Sequence, residues 1–236
     1  MSYRDLLTDL GRGDLLTLTD DQLHSKVESR FSKTFMRMGI TLFIAFGLAY
    51  SMAVGLVPIP LTFAGAIISS IGGFGLIVRM QMKRQTMSYN MLAWLLIAFG
   101  VLEGYGLSGV FLAYNLGSVY NIFLSTSVLF LALALVGYTT KIDVTRVGGI
   151  LSTALIALLL SMLINLFRSN ATFSLWLNIA GVVIFSGMII YEVSSLKQMA
   201  LVQDERMEIM MALSLFLSFV NLFMFLLRLF GGSSQD

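Results

Sequence analysis

The chain has 236 residues, of which 57% are apolar and only 12% charged, with 15 Lys+Arg against 13 Asp+Glu. That is about half the charge of an ordinary soluble domain, and a mean hydropathy of +0.87 is more apolar surface than one soluble core can hide. A soluble domain is excluded, a net charge of +2 without a contiguous basic face argues against a nucleic-acid partner, and the absence of cysteine removes disulfides, thiolate chemistry and cysteine metal sites.

Twelve of the charged residues fall in the first 37 positions. Within this polar segment Thr19-Asp20-Asp21-Gln22 matches a capping box, and Leu23, Val27, Phe31 and Phe35 recur every four residues, flanked by Lys26, Arg30, Lys33 and Arg37. The pattern predicts an amphipathic helix on the inner headgroup surface that feeds the first span, a plain juxtamembrane anchor. No short apolar region with a small-residue cleavage site precedes it, so a cleavable signal peptide is not expected. The one histidine, His24, lies in the same segment.

A helix crossing a hydrocarbon core of about 30 Å needs about 20 apolar residues. Seven runs qualify: Met38–Val57, Leu61–Val78, Met91–Leu107, Val119–Tyr138, Val147–Phe167, Phe173–Leu196 and Ile209–Leu227. They are apolar on every face, whereas barrel strands alternate with period two. The expected fold is all-α: a polar segment 1–37, a seven-helix membrane domain 38–230 and a short tail 231–236. Pro58 and Pro60 between the first two runs predict a tight hairpin of the first two helices.

The direction of the spans follows from their basic flanks. Arg4, Arg12, Lys26, Arg30, Lys33, Arg37, Arg79, Lys83, Arg84, Lys141, Arg146, Lys197 and Arg206 fall on one side of a seven-span arrangement, and Arg168 and Arg228 on the other. The N-terminus is expected inside and the C-terminus outside. An even number of spans would scramble this split.

Ionisable groups at membrane depth cost about 2.5 to 3.5 kcal/mol on insertion scales, so those present are functional candidates. Two exist within the spans, Glu103 in the third and Glu192 in the sixth. With no Asp, Lys, Arg or His there, neither an aspartyl dyad, nor an activated serine, nor a Schiff-base lysine can be assembled, and no enzyme is expected. Ser161, Ser186 and Ser218 read as interhelical hydrogen-bonding groups.

Glu103 sits in Gly100-Val101-Leu102-Glu103-Gly104, a spacing of small residues that lets another helix approach closely. Its carboxyl either hydrogen-bonds at that helix contact or lines a wet cavity. Glu192 lies about one turn from the inner end of its helix, near Lys197, and either reaches the interface or faces Ser218 across an antiparallel pair of the sixth and seventh helices. The second reading makes it a proton-sensitive pathway group. Gly65, Gly72, Gly73 and Gly75, with Ser69, predict a close-packing face in the second span; no Lys-Ser/Thr follows them, so they are not a phosphate loop. The fifteen methionines read as flexible packing rather than soft-metal ligands, since neither Cys nor His supports them.

From the third span onward several stretches resemble the transmembrane Bax inhibitor motif family, prokaryotic type. They are Glu103-Gly104 with Leu107-Ser108, Gly117-Ser118, Gly137-Tyr138-Thr139-Thr140-Lys141 with Asp143, Asn165-Leu166-Phe167, Phe185-Ser186-Gly187 with Tyr191, Ala212-Leu213-Ser214-Leu215, Asn221-Leu222-Phe223 and Leu226-Leu227-Arg228-Leu229-Phe230-Gly231. The resemblance implies a pH-sensitive cation leak pathway, with calcium the ion usually discussed, and for bacterial members an association with a membrane-bound AAA-type protease. It also implies a gate of two aspartates latched by a basic residue at the inner end of the second helix. Position by position, the first aspartate becomes Glu192 after Tyr191, the second becomes Ser218 three residues before Asn221, and the latch becomes Arg79 or Lys83.

One carboxylate facing a hydroxyl lacks the shared proton of a carboxylate pair and offers a hard cation one anionic ligand fewer. A weaker or shifted pH gate and weak calcium binding are therefore expected, with Glu192, Ser218, Asn221, Tyr191 and Glu103 as pathway candidates and no cofactor beyond a calcium ion. The rival expectation is a non-conducting protein that modulates a membrane protease. Either belongs in a bacterial inner membrane, with lipid and cations as its partners.

Overall fold

In hydrocarbon a chain segment must satisfy its own backbone groups, so each apolar run closes its hydrogen bonds as a helix. The computed structural model describes residues 19–58, 60, 63–140, 144–168, 170–200 and 204–232. Among them stand α1 (Asp20–Ala53), α2 (Phe63–Lys83), α3 (Tyr89–Ala113), α4 (Leu116–Thr139), α5 (Val144–Arg168), α6 (Ala171–Met199) and α7 (Arg206–Phe230). All seven are long and apolar enough to cross a membrane, and no β-strand occurs among the described residues. This is a membrane protein.

Polar residues outside the apolar runs start the helices. The expected capping box is formed: the Thr19 hydroxyl accepts from the Gln22 backbone, and the Gln22 side chain accepts from the Thr19 backbone. Ser88, Asn115 and Asn170 cap α3, α4 and α6 in the same way, each accepting from a backbone amide of the first turn.

The amphipathic segment and the first span form one helix, α1. Its stripe is used for packing on protein: Leu23 and Val27 are fully buried, Phe31 meets Tyr138 edge-on, and Phe35 meets Phe130. The helix ends at Ala53, four residues before the apolar run does, because Gly55 takes a left-handed turn with φ +76°.

The bundle is arranged around α7, which is enclosed by α1, α3, α4 and α6. Phe46 of α1, Phe123 of α4 and Phe219 and Phe223 of α7 pack with ring centroids 4.7 to 6.3 Å apart, mostly edge to face. α2 rests on α3, and α5 rests on α6; both present most of their large apolar side chains to the surrounding lipid.

The expected hairpin of the first two helices is not formed. Both α1 and α2 lie against α3 instead. The reason is the placement of small residues. A Cβ at Gly104 would sit 2.7 Å from the Ala45 carbonyl oxygen and one at Gly100 would sit 2.9 Å from Thr41, so α1 and α3 approach backbone to backbone. On another side of α3, Phe99 and Leu102 fill the space beside Gly73 and Gly72 of α2, while Gly75 faces open space. An added Cβ at Gly72 or Gly73 would meet these side chains at 3.4 Å, an ordinary contact, so α3 packs on this face through side chains and not backbone to backbone as on α1.

Candidate functional site

The basic turns gather at one end of the bundle. Arg206 donates to the Gln85 carbonyl, Arg84 to the Met207 sulfur, and Lys197 to the Tyr138 carbonyl at 2.8 Å, while Arg37 donates to the Tyr89 hydroxyl. The starts of α1, α3 and α7 and the ends of α2, α4 and α6 therefore share that end. At the opposite end the Asn115 amide donates to the Gly232 carbonyl and the Gly232 amide to the Ser118 hydroxyl, tying the end of α7 to the turn between α3 and α4.

α6 and α7 pack side by side as an antiparallel pair, as their short connection predicts; residues 201–203 of that connection lie outside the described residues. Their contact holds Glu192. It is 2% exposed and points into the bundle, not to lipid or headgroups. Its Oε1 accepts from the Ser214 hydroxyl at 2.5 Å and from the Ser218 hydroxyl at 2.9 Å. Its Oε2 is buried and has no hydrogen-bond partner among the described residues. One turn on, the Ser195 hydroxyl is also buried without a partner.

The other predicted site residues are distributed around this contact. Asn221 is half-buried and donates to the Leu217 carbonyl of its own helix. Tyr191 turns its ring against α5, where a Cβ at Gly148 would meet it at 2.8 Å. Glu103 is half-buried on α3, which packs on α1, α2 and α7. Arg79 and Lys83 are exposed at the end of α2 and make no hydrogen bond or ion pair with Glu192. Lys197, five residues after Glu192, donates to the Tyr138 carbonyl.

A second buried acid lies nearer the basic end. Glu208, in the first turn of α7, is 3% exposed and forms an ion pair with Arg30 of α1, whose side chain is 12% exposed. Partial burial pushes the neighbouring Asp204 carboxyl up, but hydrogen bonds from Arg206 and the charges of Arg206 and Arg84 outweigh this and hold it below its ordinary value.

The family model described as inhibitor of apoptosis-promoting Bax1, Bax1-I, matches residues 27–235. The chain belongs to the Bax1-I family. Among its relatives, an uncharacterized protein of Borreliella burgdorferi is 29% identical over 232 residues, covering 94% of this chain and all of the relative. Inner membrane protein YbhL of Escherichia coli is 33% identical over 168 residues, 68% of this chain and 72% of YbhL. An uncharacterized membrane protein of Streptococcus pyogenes serotype M1 is 28% identical over 225 residues, 92% of this chain and 96% of the relative.

In this Bax1-I chain the position expected to carry the second acid holds Ser218, and Ser218 does face Glu192. Ser214 was not singled out from the sequence, although its spacing of four from Ser218 puts both hydroxyls on one face of a helix. Glu208 was missed for a different reason. It stands one residue before the last apolar run, where a charge reads as solvated, yet α1 extends far enough to cover it.

Proposed function

We propose that this Bax1-I protein is a non-enzymatic cation pathway in which Glu192 is the proton-sensitive group that meets the ion. The observation that carries this reading is the unequal partnering of its carboxylate. Two hydroxyls hold Oε1, whereas Oε2 is buried with no donor among the described residues. A buried carboxylate oxygen without a partner is costly, and a proton, a water or a passing cation relieves that cost. The Ser214 and Ser218 hydroxyls then act as neutral oxygen ligands or donors beside it.

Calcium prefers six to eight oxygens with several carboxylates among them. One carboxylate with two hydroxyls supports brief, weak contact with a cation, not storage. The gathering of basic residues at one end supports that end facing the cytoplasm, and the likeness to YbhL supports a bacterial inner membrane.

The test is cation flux into sealed liposomes for the wild type and Glu192→Gln across a range of pH. The wild type is expected to pass calcium slowly with a pH dependence that Glu192→Gln flattens. Identical profiles would remove Glu192 from the mechanism. No flux in either, together with a membrane protease that co-purifies with both, would favour the non-conducting alternative.

A further inference from the structure

Between Glu192 and the basic end lies a small cavity of about 10 Å³, lined by Arg30, Leu196, Met199, Asp204, Met207 and Glu208 among others. Leu196 is four residues along α6 from Glu192, on the same face. Glu208 precedes Ser214 by six residues, about 9 Å along α7. The cavity has room for about one water. By helix register it lies between the Glu192 contact and the basic end of α6 and α7.

α1 covers this side of α7. Leu23 and Val27 in its first turns are fully buried, as is Ile209 of α7, and Arg30 reaches across to Glu208. Among the described residues only one Glu208 oxygen is paired; Oε2 is buried without a partner. A cation moving from Glu192 toward this end meets the Arg30 guanidinium first, and like charges repel strongly where water is scarce. With Arg30 withdrawn, the same passage would be lined by Glu208 and Asp204 and would attract a cation. Arg79 and Lys83, exposed on α2, have no comparable position.

We propose that the Arg30–Glu208 ion pair is the closing contact at the basic end of the Glu192 pathway, and that the first turns of α1 are the element that moves to open it. The inference rests on the pathway reading above. A pair that served only to fix α1 would lower stability when broken and leave flux unchanged, so flux separates the two roles.

The experiment measures calcium flux into liposomes and thermal melting in detergent for Arg30→Gln, for Glu208→Gln, for the exchanged pair Arg30→Glu with Glu208→Arg, and for Arg30→Gln combined with Glu192→Gln. Arg30→Gln is expected to raise flux several-fold, the exchanged pair to return it toward the wild-type rate, and Glu192→Gln to suppress the raised flux. Should Arg30→Gln fail to fold, Arg30→Met carries the same comparison, because it too removes the guanidinium while leaving Glu208 in place. Unchanged flux in Arg30→Gln, with Glu192→Gln still reducing the wild-type rate, would overturn the gate and leave the pathway standing. A raised flux indifferent to Glu192→Gln would overturn both, as would the absence of flux in every variant.

Discussion

At Glu192 the two carboxylate oxygens have different surroundings, and the difference comes from a single helix face. Ser214 and Ser218, four residues apart on α7, converge on Oε1 from one side, and no donor among the described residues reaches Oε2. Replacing Ser218 by Asp would place a second carboxylate at hydrogen-bond distance from the first. Two such groups share a proton and together hold a divalent cation far better than one. Ser218→Asp is therefore expected to show a calcium-dependent rise in melting temperature that the wild type lacks. Equal calcium response in both would mean that the carboxylates do not face one site. The convergence of residues 192 and 218 was legible in the sequence from the antiparallel pairing of two spans with a short connection. The roles of Ser214 and Glu208 were not, because a hydroxyl or a charge acquires its partner from a neighbouring helix that the sequence of its own helix does not specify.

Among the elements, α3 shows how small residues choose neighbours. Its Gly100 and Gly104 admit the backbone of α1, and the close approach predicted for this spacing is present. A side chain at 104 would collide with a backbone carbonyl that cannot rotate away. Gly104→Val is expected to cost about 1 to 3 kcal/mol through overpacking, read as a lower melting temperature in detergent. Gly39 lies on α1 with nothing within 4 Å of an added Cβ, so Gly39→Val is the matched control and should be neutral or slightly stabilising. Equal losses in the two would show that helix contact is not what position 104 provides. The spacing of the glycines announced a contact, but not which helix would fill it. The proline-containing connection after α1 suggested α2 as the neighbour, and the glycine face of α3 prevailed because close backbone approach gains dispersion contacts along several turns.

Across the whole molecule burial is graded from α7 outward. Phe223 has 0% exposure and touches Phe46 and Phe123, whereas Phe167 on the peripheral α5 is 82% exposed. In a bilayer, association between helices draws on packing and not on escape from water, so the two positions should respond very differently. Phe223→Ala is expected to cost about 3 to 5 kcal/mol, and Phe167→Ala less than about 0.5 kcal/mol, measured by unfolding in mixed micelles. Comparable losses would mean that α7 is not the packing centre.

By itself the sequence determined the number of spans, the helical class and the gathering of basic turns at one end, because these follow from transfer of each segment into hydrocarbon and from the charge on its flanks. Tertiary structure alone decided that α7 is central, that α1 and α2 share α3, and that Arg30 meets Glu208 across 178 residues of chain. Apart from the stripe on the first turns of α1, spans that are greasy on every face carry no mark of the inside, so their arrangement is settled by shape, small residues and a few buried polar contacts that exist only once the helices have met.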